Sequence, residues 1–303
     1  MVVATITIWR NEGFRKAPKL GRPEETLEEM KWCLYEDEAW KPCLKDIHPV
    51  WLLGFRVIGF FLLLTLLIVN VAVDGGGILF YYTQWTFGLV TIYFGLGSLL
   101  SMHGCYKYRN KVGGDTLETD AEQGTYMASV NNTNVHNIAK NTGPDELVHV
   151  RQTAGIWGYV FQVIFQMNAG AVMLTDFVFW LIIVPFLAIK DYDLNILLIG
   201  MHSINAVFLL GDAALNSLRF PWFRIAYFLL WTAIFVIFQW AVHACVSIWW
   251  PYPFLDLASP YAPVWYMVVG LMHIPCYAFF ALLIRMKHIL WTRWFPQSYQ
   301  CSI

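Results

Sequence analysis

The chain is a succession of long apolar runs separated by polar segments. No Asp, Glu, Lys or Arg lies between Asp74 and Lys107, or from Ile225 to Leu255. In Leu257–Ile284 only His273 titrates near neutral pH. About 20 apolar residues in a helix span the ~30 Å hydrocarbon core of a bilayer. The pattern predicts six spans: Trp51–Val73, Leu79–Met102, Gly170–Ile189, Asn195–Leu215, Ile225–Trp249 and Val264–Ile284. Ahead of the third, apolar character begins near Ala154, but Gln162, Gln166 and Asn168 interrupt it, so a half-buried or interfacial helix is expected there.

The expected fold class is all-α, an integral membrane protein with six transmembrane helices. It divides into a polar N-terminal segment (1–49), spans 1 and 2 (50–102), a polar loop rich in Asn, Thr, Gly and Asp (103–153), spans 3 to 6 (154–288) and a short tail (289–303). No short apolar stretch followed by a small-residue cleavage site lies near Met1, so no cleaved leader is expected.

Basic residues set the orientation, because loops facing the cytosol retain Lys and Arg. With the N-terminus cytosolic, 18 of the 20 fall on that side: eight before residue 50, five in 103–153, then Arg219, Arg224, Arg285, Lys287 and Arg293. Arg56 is expected to snorkel from the first span, and Lys190 alone faces outward. Both termini are therefore expected in the cytosol, and the membrane is that of the endoplasmic reticulum or the cell surface. The sequon Asn131-Asn132-Thr133 then lies where no glycan is added.

Composition narrows the class further. Apolar residues make up 58% and charged residues 14%, against about 25% charged in a soluble protein. That excludes a soluble globule and a disordered tail, and a net charge of −1 leaves no electrostatic handle for nucleic acid. Six cysteines (Cys33, Cys43, Cys105, Cys245, Cys276 and Cys301) show no CxxC spacing, so neither a disulfide framework nor a zinc site is expected. Gly95-Leu96-Gly97 reads as a close helix approach rather than a phosphate cradle.

Ionisable groups within spans are costly and therefore candidates for function. Asp176, His202, Asp212, His243 and His273 qualify. The topology sets His202 about seven residues inside the outer membrane face, ~11 Å along a helix, with His243, His273 and Thr83 also in the outer half. A threonine attacks an ester only when a neighbouring base takes its proton, and an imidazole in apolar surroundings stays in the neutral, accepting form. Thr83 with His202 is thus a candidate nucleophile and base. Thr65, Thr86, Thr91 and Thr232 are equivalents, since threonines in spans commonly bond their own helix, and histidines in spans often only knit helices together. Asp212 is read as a histidine-orienting acid or as a neutral, hydrogen-bonded group. Three histidines on three helices lack a ligand spacing, so no metal or other cofactor is expected.

Tyr82-Thr83-Gln84-Trp85, with Tyr93-Phe94-Gly95 ten residues beyond the threonine, is similar to the second-span pattern of the androgen-induced family of six-span membrane hydrolases. Gly200-Met201-His202, with Asp212 ten residues on, resembles that family's histidine-bearing span. Trp250-Pro251-Tyr252-Pro253-Phe254-Leu255-Asp256 resembles its signature before the last span, and the rolling-stone-like branch with its plant relatives is the closer likeness. The resemblance covers roughly Trp51–His288. It implies hydrolysis of fatty-acid esters of hydroxy fatty acids, with Thr83 as nucleophile, His202 as base, Thr86 as the alternative nucleophile, and Asp212, His243 and His273 in support. This chain departs from the family at Leu198-Ile199, at Val207 and in carrying Asp212 for glutamate. The expected partner is a membrane lipid substrate. The rival reading is a non-enzymatic scaffold or receptor-like protein that holds cytosolic proteins through 1–49 and 103–153, and a transporter is third.

Overall fold

The computed structural model describes residues 1–12, 34–121, 153–186, 196–246 and 248–301. Six helices are long and apolar enough to cross a membrane: Pro49–Phe80, Tyr82–Asn110, Ile156–Ile183, Leu197–Leu215, Trp222–Cys245 and Ala262–Trp294. The protein is all-α, and among the described residues extended backbone pairs only in isolated bridges. The helices are α1 (Val2–Glu12), α2 (Pro49–Asp74), α3 (Tyr82–Ala121), α4 (Ile156–Val178), α5 (Ile196–Met201), α6 (Ile204–Leu215), α7 (Ile225–Cys245) and α8 (Ala262–Trp294).

Local chemistry fixes the ends of α2. Pro49 opens it with a preset φ, and the His48 ring accepts the Val50 amide at 3.3 Å. Gly75 closes it at φ 71°, a left-handed conformation costly for other residues, and donates its amide to Val71 O.

The centre of the bundle is α4. In the third span 61% of the apolar window is buried, against 22% in the first and fifth. Phe161 lies parallel to Tyr93 of α3 at 4.6 Å. Glycines allow this closeness: a Cβ at Gly97 would come within 2.9 Å of Phe161, and one at Gly170 within 2.3 Å of Phe228. Ile58, Phe61 and Ile68 of α2 and Leu271 and Ile274 of α8 point outward, the side that lipid would cover.

Several boundaries differ from expectation. No separate interfacial helix precedes the third span, because α4 runs unbroken from Ile156. The polar residues that interrupted its hydropathy face inward and find partners. Gln162 and Gln166 donate to Arg219 O at 3.2 and 2.9 Å, and Asn168 donates to Leu89 O at 3.4 Å. The expected loop 103–153 is helical as far as Ala121, and α8 continues past Ile284 to Trp294. Within the N-terminal segment, α1 packs on α7, where Arg224 Nε donates to Glu12 Oε1 at 2.8 Å and the Tyr227 hydroxyl donates to Glu12 Oε2. The sequon and Lys190 lie outside the described residues.

Residues 34–48 and the tail 295–301 meet at one end of the bundle, called here the charged end. Cys43 N donates to Leu215 O (2.8 Å), Gln300 N to Cys43 O (3.0 Å) and Lys45 N to Ser298 O (2.7 Å). Two expectations fail here. Cys43 and Cys301 form a disulfide across 258 residues of sequence, a pairing that only the returning tail creates. Arg56 does not snorkel: it is fully buried and its Nε lies 2.6 Å from Asp212 Oδ1. A guanidinium finds more here than at a lipid headgroup, because Nη1 also donates to Ala39 O and Ser101 Oγ, both at 2.7 Å.

Candidate functional site

The opposite end carries the residues singled out from the sequence, Asp212 excepted, and its geometry begins with a broken helix. The fourth span is interrupted at His202 and Ser203, between α5 and α6. The Ala206 amide turns to the Asn205 side chain at 2.8 Å instead of continuing the helical ladder to His202. The freed His202 carbonyl accepts the Trp180 indole N–H at 3.0 Å. Trp180 is placed by a π-helical turn, Phe179–Ile183, that ends the third span's regular helix. Such turns shift side-chain register and recur at functional sites.

The same turn lays the Phe179 ring parallel to the His202 imidazole, 3.8 Å between centroids. On the other side His202 Nδ1 stands 3.8 Å from Asp176 Oδ1. Both residues are buried. At that distance the two groups are neighbours without a hydrogen bond, and a carboxylate near Nδ1 favours the tautomer that leaves Nε2 as the accepting nitrogen.

Met201, one residue before His202, joins this pair to two further spans. Its Sδ receives Asn70 Nδ2 at 3.0 Å and Gln84 Nε2 at 3.3 Å. Thr83 lies beside Gln84 and next to Tyr82, whose amide donates to the Tyr252 phenol at 3.1 Å. Burial pushes the Tyr252 phenol above its ordinary range, so it stays protonated. Thr83 and His202 share no hydrogen bond among the described residues.

The other sequence candidates separate. Thr86 is fully buried and its hydroxyl has no hydrogen-bond partner. His243 stacks on Trp250 at 3.6 Å, with Nδ1 on Gln239 O at 2.7 Å. Asp212 orients no histidine; it binds Arg56, Tyr93 and Asn216 at the charged end. His273 is the one that meets a threonine. Its Nδ1 contacts Val269 O at 2.8 Å, which makes Nδ1 the donor, and its Nε2 faces Thr232 Oγ1 at 2.8 Å. The Tyr82 hydroxyl lies 2.8 Å from the same Thr232 oxygen. This Tyr82–Thr232–His273 chain was not legible in the sequence, where Thr232 was one of several equivalent threonines and no spacing links it to His273.

No family model, no curated protein and no solved structure matches the chain. What fold and site define is a class: a multi-pass membrane protein with a buried Asp–His pair at a helix break.

Proposed function

We propose that the protein is an intramembrane hydrolase of lipid esters, of the androgen-induced kind, with His202 as base, Asp176 as its orienting acid and Thr83 as nucleophile. The observation that supports this is convergence. The three segments that carry the resemblance, around Thr83, His202 and Tyr252, lie far apart in sequence yet touch through Tyr82–Tyr252 and Gln84–Met201. In the proposed reaction the Thr83 hydroxyl turns toward the imidazole as substrate arrives. Oγ attacks the ester carbonyl and Nε2 takes its proton. The imidazolium then protonates the leaving alkoxide, giving an acyl-threonine and an alcohol. Water, deprotonated by the same nitrogen, releases the fatty acid and restores the hydroxyl.

The test is turnover of fatty-acid esters of hydroxy fatty acids in membranes. Thr83→Ala and His202→Ala should each lower it by about a hundredfold or more, the usual contribution of a general base. Full activity in either variant refutes the assignment. A second assignment has its own observation, the Thr232–His273 hydrogen bond of 2.8 Å. Loss on Thr232→Val with an active Thr83→Ala would move the chemistry there. If no variant changes turnover and no fluorophosphonate probe labels the protein, the scaffold reading replaces the enzyme.

A further inference from the structure

We propose that Cys43, Cys301 and His288 form a Zn²⁺ site when the two thiols are reduced, an inference independent of the hydrolase reading. Their donor atoms lie within 4.8 Å of one another. A tetrahedral zinc with Zn–S bonds near 2.3 Å needs donors ~3.8 Å apart, so small side-chain rotations suffice. Both cysteines are buried, at 1% and 8% exposure. Two sulfurs and one imidazole are the donor set zinc prefers over hard cations, with the fourth position left to water. His288 Nδ1 is held by the Tyr299 hydroxyl at 2.8 Å, so with Nε2 as the ligating nitrogen Tyr299 would play the orienting part usual for ligating histidines. Lys287 donates to Asn216 O at 2.6 Å, the carbonyl that also lies 4.0 Å from Cys301 Sγ, and so ties the helix bearing His288 to the same turn as the two cysteines.

Compartment argues for the metal form. The basic residues predict that this end faces the cytosol, where thiols are kept reduced and structural disulfides are rare. Reduction of the Cys43–Cys301 bond by a water-soluble phosphine consumes one water and yields two thiols and the phosphine oxide. Zinc binding then displaces the two thiol protons.

The experiment uses the full chain in detergent micelles, reduced with such a phosphine, incubated with zinc, freed of excess and analysed for metal. About one zinc per chain is expected, with none in the oxidised protein. Cys43→Ser and His288→Gln should lose it, Cys105→Ser should keep it, and Tyr299→Phe should bind about tenfold to a hundredfold more weakly. Should Cys43→Ser fail to fold, the comparison of reduced with oxidised wild type still decides the matter. Substoichiometric zinc in the reduced wild type, or zinc retained in His288→Gln, overturns the site. So does thiol trapping that finds residues 43 and 301 still bonded in freshly isolated membranes.

Discussion

The cluster around Arg56 and Asp212 and the region around His202 treat buried polar groups differently. At the charged end both Asp212 oxygens are occupied: Oδ1 by Arg56, and Oδ2 by the Tyr93 hydroxyl and, at 2.8 Å, by Asn216 Nδ2. Arg56 is equally satisfied, and its guanidinium lies 4.9 Å from the Phe161 ring. At the other end Asn70 Oδ1, Gln84 Oε1, Thr86 Oγ1, Asp176 Oδ2 and His243 Nε2 are all buried without a hydrogen-bond partner. Each such group costs about 1–3 kcal/mol. The Arg56–Asp212 cluster spends polar side chains on holding helices together. Around His202 several lack a hydrogen-bond partner among the described residues.

The contrast can be broken most forcefully at Asp212. Asp212→Ala leaves Arg56 charged and buried, and should cost about 3–5 kcal/mol, read as a lowered thermal midpoint or as loss of folded protein in detergent. Arg56→Met together with Asp212→Leu should recover most of that loss, and a cycle of single and double variants measures the coupling. Tyr93→Phe removes one charge-assisted bond to Asp212 and should cost about 1.5–3 kcal/mol by the same assay. Trp180→Phe leaves the His202 carbonyl unpaired, and should cost about 1 kcal/mol while loosening the histidine's position, visible as faster amide exchange around residues 200–206. The smallest effect, and the one of opposite sign, belongs to Thr86→Val. That hydroxyl has no partner to lose, so stability should be unchanged or should rise by up to ~1 kcal/mol. A loss of 2 kcal/mol there would erase the distinction between the two regions.

The spans were legible because hydropathy is local: a run such as Ile225–Leu255 declares its environment without reference to the rest of the chain. What the sequence concealed depends on contacts between distant residues. Arg56 sits near the end of its span, where snorkelling is the cheapest fate of an isolated arginine, and its partner lies 156 residues away. Gln162 and Gln166 lowered the hydropathy of the third span, but their satisfaction by Arg219 O belongs to tertiary structure. The importance of His202 was readable from its cost in a membrane, and Asp176 was marked for the same reason. Their pairing was not, since it follows from how the break at His202–Ser203 and the π turn at Phe179 are set against each other in the folded bundle. Thr83 was assigned from a motif, and Tyr252 came from another motif whose contact with the first only folding reveals.

The bridge between residues 43 and 301 has a topological consequence. With the two tails fastened by this bond, the intervening polypeptide becomes a closed hoop that carries all six apolar spans. A single nick anywhere along that hoop leaves one covalently joined object. A protease cut between two spans of the finished chain would therefore yield halves that travel as a unit until a reductant parts them.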